Sequence, residues 1–202
     1  MPSRCIFLGV DTTEEWRRNG LRLQLVSRWI LPRLGLRIIK AQEDPVTPAL
    51  EPKLRGLSDY LKTYSDYIVS KRGRLQIVEV KAPVVFRGLK RPFGVQPVEF
   101  SRHQMHDFPV SPVPVKVLLW DYGSAHSLLE LRSRVFYALT DFSDFDVVET
   151  LADTVKMRLR GPQRMRPRWI SAGTLRHLAE KSEAMRVREI KPGCIVRDLF
   201  PT

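Results

Sequence analysis

Two apolar runs parted by a short basic turn, in SDYIVSKRGRLQIVEVKAP (Ser65 to Pro83), commit the middle of the chain to a β-hairpin. The runs YIV and LQIVEV are rich in β-branched and aromatic residues, and Gly73 in SKRGR suits a tight turn. Strands are therefore predicted over 66–70 and 75–81. Their charged residues are the anomaly: Asp66 opens the first strand, and Glu79 and Lys81 close the second. Because side chains alternate with a period of two, residues 79 and 81 share a face. Hairpin pairing brings Asp66 to the same edge of the sheet, so the three charged groups converge.

The flanking segments read as an α/β core. DTTEEWRRNG starts a helix, with Thr12 and Glu15 spaced as a capping box and Asn19-Gly20 as an interruption or bend. Leu21, Leu25, Val26, Trp29 and Ile30 then recur at helical spacing until Pro32, with Gly35 in the turn. LRIIKAQ (36–42) reads as a strand, EDPVTPALEP as a proline-rich connection, and KLRGLSDYLKTY as holding a short helical turn. A basic loop runs from Ala82 to Gln96, and Ser101 N-caps a short helix in FSRHQMHDF. VPVKVLLWDY (113–122) is the clearest buried strand, and AHSLLELRSRVFYAL an amphipathic helix with Leu128, Leu131, Val135 and Leu139 on one side. Trp29, Trp120 and Phe136 read as core.

That order predicts a mixed central sheet flanked by helices over residues 1–140. Residues 141–202 look different, and are expected to form a basic C-terminal extension packed on the core. Val155 to Ile170 carries six basic residues and no acid, SAGTLRHLAEKSEAMRVREI reads as a capped helix, and GCIVRDLFPT as a final short strand.

Charge narrows the partners. With 34 Lys+Arg against 22 Asp+Glu, the formal charge of +12 favours a polyanion, because basic side chains on phosphates release counterions. Cys5 and Cys194 are too few and too far apart for a disulfide scaffold or a cysteine-rich metal site, which points to a reducing interior. With neither a signal-peptide apolar region nor a run approaching a membrane span, a soluble, cytoplasmic protein is expected. A Gly-rich phosphate loop and a Gly-x-Ser-x-Gly elbow are both missing from the sequence, which disfavours a nucleotide hydrolase or a serine hydrolase.

Asp66 and Glu79, with the Val80 carbonyl, make a hard oxygen site suited to Mg²⁺ or Mn²⁺. Lys81 beside such an ion is placed to position or deprotonate water and to offset charge on a phosphorane-like transition state. That is the equipment of phosphodiester hydrolysis. Arg87, Lys90 and Arg91 follow Lys81 closely enough to act as phosphate clamps, and Arg164, Arg166 and Arg168 are candidates for backbone contact, with Trp169 able to stack on a base. His103 and His106, three apart but without a third ligand, read as a partly exposed helix face.

The pattern resembles the metal-dependent PD-(D/E)XK nuclease superfamily, with SD at 65–66 and EVK at 79–81; the archaeal Holliday-junction resolvase type is closest. FSRHQMHDF supplies the Ser-opened helix carrying Gln104, and VPVKVLLW the buried strand after it. LRLQLVSRWILPRLGLRII has the shape of the helix, glycine turn and strand that precede the aspartate. The likeness covers residues 20–125. It implies a restriction-endonuclease-like fold and a Mg²⁺-dependent deoxyribonuclease, more an endonuclease than an exonuclease. Asp66 and Glu79 would be metal ligands, Lys81 the catalytic lysine, and Gln104 would orient the site. A homodimer is compatible with it, since nucleases that cut both strands are commonly dimeric. Two positions depart from the family pattern. Ser65 replaces a proline, and the helix glutamate is matched by Gln24, unless Glu14 or Glu15 folds inward to serve. The alternative is a nucleic-acid-binding protein that keeps the fold without the activity.

Overall fold

The computed structural model describes residues 12–82, 93–94, 96–121 and 134–189. It is an α/β structure built on two sheets. The larger has six strands: β1 (Arg37–Ala41), β2 (Tyr67–Lys71), β3 (Arg74–Lys81), β5 (Val115–Asp121), β6 (Arg134–Asp141) and β9 (Arg168–Ser171), hydrogen-bonded in that order. Only β3 and β5 run parallel, so the sheet is mixed. The smaller sheet orders β4 (Val98–Ser101), β8 (Thr154–Leu159) and β7 (Phe145–Thr150). Helices are α1 (Thr12–Ile30), α2 (Asp59–Tyr64), α3 (Arg102–Asp107) and α4 (Ala172–Glu189). Among the described residues no helix is long and apolar enough to cross a membrane.

The predicted hairpin forms within a residue of its expected bounds. Arg72 (φ 51°) and Gly73 (φ 80°) make a two-residue turn with both φ values positive, which matches the strand twist. Tyr67 pairs with Val78 and Ile68 with Ile77, so Asp66, just before β2, reaches the end of β3 where Glu79 and Lys81 stand.

Alternation along the strands sorts the core into two halves. Tyr67, Val69, Val78, Leu118, Trp120, Val135, Tyr137 and Ile170 pack on the face covered by α1 and α4. Ile68, Ile77, Val115, Val117 and Leu119 pack on the opposite face, under the small sheet, α2 and α3. Phe100 of β4 sits at the centre of that second half, edge-on to Phe108, Phe142 and Phe145. Asp66, Glu79 and Lys81 share parity with this second face.

Four expectations change. The break expected at Asn19-Gly20 does not occur, and α1 is continuous. A helical glycine costs about 1 kcal/mol relative to alanine, and burial of Leu23, Val26 and Ile30 outweighs it. The helix expected through residue 139 is, over Arg134–Asp141, a strand held between β5 and β9, while residues 122–133 lie outside the described residues. Phe136, read as core, is 38% exposed. The C-terminal segment supplies β9 and α4 to the main sheet, and together with β4 it builds the small sheet. The tail strand expected in 193–202 lies outside the described residues.

A buried relay ties α1 to the sheet. Ser27 Oγ donates to the Leu23 carbonyl (2.6 Å) and accepts from Trp120 Nε1 (3.0 Å). Ser27→Ala would leave that indole N–H buried without an acceptor, at a cost of about 1–3 kcal/mol. Thermal unfolding of the variant should begin from a midpoint lower by about 2–4 °C per kcal/mol; an unchanged midpoint would dismiss the relay as a source of stability.

Candidate active site

Each predicted catalytic residue is positioned by a different local device. Ser65 closes α2 in extended conformation, and Asp66 follows it into the sheet, where its Oδ2 accepts the Val80 N–H (2.7 Å). That bond fixes the carboxyl across the β2–β3 pair. Glu79 is 4% exposed although charged. Its Oε1 receives the Lys81 ammonium at 3.1 Å, the i and i+2 neighbours meeting on one face.

Gln104 joins the group through helix capping. Ser101 Oγ accepts the Gln104 N–H (3.2 Å) and Gln104 Oε1 accepts the Ser101 N–H (3.0 Å), a reciprocal capping box that aims the amide inward. The same Oε1 accepts from Lys81 Nζ (3.0 Å), and Nε2 donates to Glu79 Oε1. Glu79, Lys81 and Gln104 thus form a closed triangle, with Lys81 Nζ also 4.9 Å over the Phe100 ring. Tyr60 lies behind it, its hydroxyl 3.4 Å from Ser101 Oγ.

Electrostatically the site is short of positive charge. The Asp66 carboxyl is pushed well above the usual range, chiefly by burial and then by the Glu79 carboxylate; Lys81 and the Val80 N–H only partly offset this. Glu79 Oε2 is buried and has no hydrogen-bond partner among protein groups, and neither has Ser65 Oγ. An acid with an unsatisfied inward oxygen beside a second, desolvated acid is the environment that a divalent cation relieves. Two carboxylates and the Val80 carbonyl are the hard oxygen donors that Mg²⁺ or Mn²⁺ would take. Among the described residues there is no cluster of three or more His, Cys, Asp or Glu side chains able to hold a metal.

The position matched to the family glutamate stays neutral. Gln24 Nε2 donates to Gln42 Oε1 (2.9 Å), and the Gln24 carbonyl accepts from the Tyr67 hydroxyl. The Gln42 N–H in turn bonds the Asp66 carbonyl (2.9 Å), so α1 does approach the site, through an amide and not an acid. The side chains of Glu14 and Glu15 lie outside the described residues. One acid near the site went unread in the sequence: burial is the main cause that raises the pKa of Asp66 and of Tyr67, and the charge of Glu43, after β1, adds to it in both. Arg28 faces Glu43 at 3.8 Å and faces Asp44 at 3.5 Å. Its signal was hidden in a proline-rich connection without periodicity.

The basic candidates divide. Arg87, Lys90 and Arg91 lie outside the described residues. Arg164, Arg166 and Arg168 are exposed, and Arg168 donates to the Arg33 carbonyl (3.2 Å), on the α1 side of the sheet and away from Lys81. The Pro162–Arg164 turn lies on the other side, where Gly94 is wedged against Leu159, Pro162 and Leu119, the last being the strand partner of Lys81. His103 stacks on Tyr60 (5.4 Å) and His106 faces solvent, as expected of a partly exposed helix.

Comparison with known proteins finds no matching family model, no matching curated protein and no matching solved structure.

Proposed function

We propose that the chain is a Mg²⁺-dependent nuclease of the PD-(D/E)XK type with a restriction-endonuclease-like core, hydrolysing phosphodiester bonds in DNA. The observation that carries this reading is the meeting of Asp66, Glu79 and Lys81 at one end of the β2–β3 pair, with Glu79 Oε2 buried and unpartnered. The order α1, glycine turn at Gly35, β1, β2, β3, α3, β5 supports it as well, because each element expected from the resemblance is present in sequence.

A bound Mg²⁺ or Mn²⁺ would activate water and polarise the phosphate. Asp66 and Glu79 would hold the ion with the Val80 carbonyl, and the Val80 N–H keeps Asp66 in register. Lys81 stays anchored by Gln104 Oε1 while its ammonium orients the water and meets charge growing on the phosphate oxygens. Gln104 holds both Glu79 and Lys81, so it governs their spacing.

The second reading is an inactive nucleic-acid-binding protein on the same scaffold, favoured by the neutral Gln24 at the position matched to the family glutamate. A panel of branched, single-stranded and duplex DNA separates the two. The nuclease cleaves at least one of them with Mg²⁺ or Mn²⁺ and falls to background in EDTA; the binder retains the same salt-dependent affinity in either condition and cleaves none.

A further inference from the structure

At the far edge of the large sheet an aromatic and cationic hollow stands apart from the acid site. Arg134 and Phe136 of β6, Trp169 and Ser171 of β9, and Arg176 of α4 line an open space of about 610 Å³. Trp169 is 50% exposed and Phe136 38%, a costly display of two rings unless something covers them. The Arg134 guanidinium lies 4.1 Å from the Trp169 ring centroid, so the site already holds one planar cation stacked on an aromatic.

The pairing register relates this hollow to the acid site. Lys81 pairs with Leu119, Leu119 with Ala138, and, two residues nearer the sheet end, Asp121 with Phe136 and Phe136 with Trp169. Strand alternation then places Glu79, Lys81, Phe136 and Trp169 on the same face and at the same end of the sheet. Strand spacing puts the two aromatic positions roughly 12–16 Å from Lys81 along the backbone. That is a few nucleotides from a phosphate held at the acids.

We propose that Trp169 and Phe136 form a base-stacking subsite, with Arg134 and Arg176 on the adjoining phosphates, and that the substrate is DNA carrying unpaired bases beside the cut. This rests on the nuclease reading for the cut, and on the hollow alone for the stacking. Exposed rings with guanidinium groups among them match the two surfaces of a single strand, the base face and the phosphate. A duplex offers only its phosphates, since its base faces are already stacked.

The test uses the full chain in EDTA, where binding is read without cleavage, and two oligonucleotides carrying 2-aminopurine, one in a single-stranded flap and one within a complete duplex. Flap fluorescence should fall on binding. Trp169→Ala should abolish part of that quench and weaken flap binding roughly tenfold, Phe136→Ala should act in the same direction, and Trp169→Phe should restore most of it. Duplex affinity should not move. Equal losses on flap and duplex, or no loss on either, would overturn the subsite. So would unchanged flap binding accompanied by loss of a dimer in sedimentation, which would give the hollow to a second copy of the chain. Cleavage with Mg²⁺ separates the two ideas. Ring-dependent quenching without cleavage of any substrate removes the nuclease and keeps the subsite, while a Trp169→Ala protein that cuts flap and duplex as the wild type does removes the subsite and keeps the nuclease.

Discussion

Lys81→Met should lower Mg²⁺-dependent DNA cleavage by about 10²–10⁴-fold, the usual contribution of a positioned proton-transferring or charge-stabilising side chain. Methionine preserves the length and the contact with Phe100 but removes the ammonium that now bonds both Glu79 and Gln104. Lys81→Arg discriminates between the two roles open to that ammonium. Arginine keeps the charge but does not give up a proton, so substantial activity in the arginine protein assigns Lys81 to electrostatic support, and an equal loss assigns it to proton handling. Stability adds an independent readout. Without the ammonium, the buried Glu79 carboxylate keeps only the Gln104 amide, and the metal-free methionine protein should melt lower than wild type. Mg²⁺ should then raise its midpoint more than it raises that of the wild type, because the ion enters where the countercharge has been removed. A methionine protein that cleaves DNA at the wild-type rate would end the catalytic assignment.

The parts of this arrangement visible in the sequence are those written in local signals. The hairpin was readable because the Arg72-Gly73 turn and the alternation on each side agree on one register. Ser101 was readable as an N-cap and Gln104 through the resemblance, while the reciprocal capping box that joins them appears only in the structure. Segment 134–141 was not. Val135 and Leu139 satisfy helical spacing, yet Val135, Tyr137 and Leu139 equally satisfy strand alternation, and only pairing with β5 and β9 decides between them. The small sheet is harder still, because β4 has four residues and finds its partner β8 more than fifty residues away. Its absence from the sequence reading also hid why Phe136 and Trp169 are exposed. The small sheet covers the central strands on their face, with Val117 and Leu119 beneath it, and leaves those two rings open at the edge. At the acid site the same limit applies. Asp66, Glu79 and Lys81 declare themselves by type and spacing, whereas Glu43 arrives through a connection that carries no period and Tyr60 on a six-residue helix too short to show one.

Asp66→Asn should abolish metal-dependent cleavage and, in the same protein, raise the stability of the metal-free fold. Asparagine retains an oxygen for the Val80 N–H but carries no charge, so the geometry of the β2–β3 pair survives. The stability gain follows from linkage. Burial and the neighbouring Glu79 charge raise the folded-state pKa of Asp66 above its unfolded value, so the native state binds the proton more tightly than the unfolded chain does. Between the ordinary carboxylate range and the raised folded value, the native protein therefore holds more protons. Metal-free wild type gains stability as pH falls through the folded pKa, and the gain is complete below the unfolded one. As pH rises above the unfolded value that stabilisation is progressively lost, and the buried carboxyl becomes a cost to the metal-free fold. The asparagine variant removes the cost, worth about 1 kcal/mol by the scale typical of relieved functional sites, or about 2–4 °C in melting midpoint for a chain of this size. Melting curves taken in EDTA across the acid range should show the wild-type advantage of acidification flattened in the variant, and Mg²⁺ should stabilise wild type far more than the variant. A variant that melts below wild type at neutral pH, with the acid-range slope unchanged, would mean that Asp66 is held as a structural hydrogen-bond acceptor and is no reservoir of charge awaiting a cation.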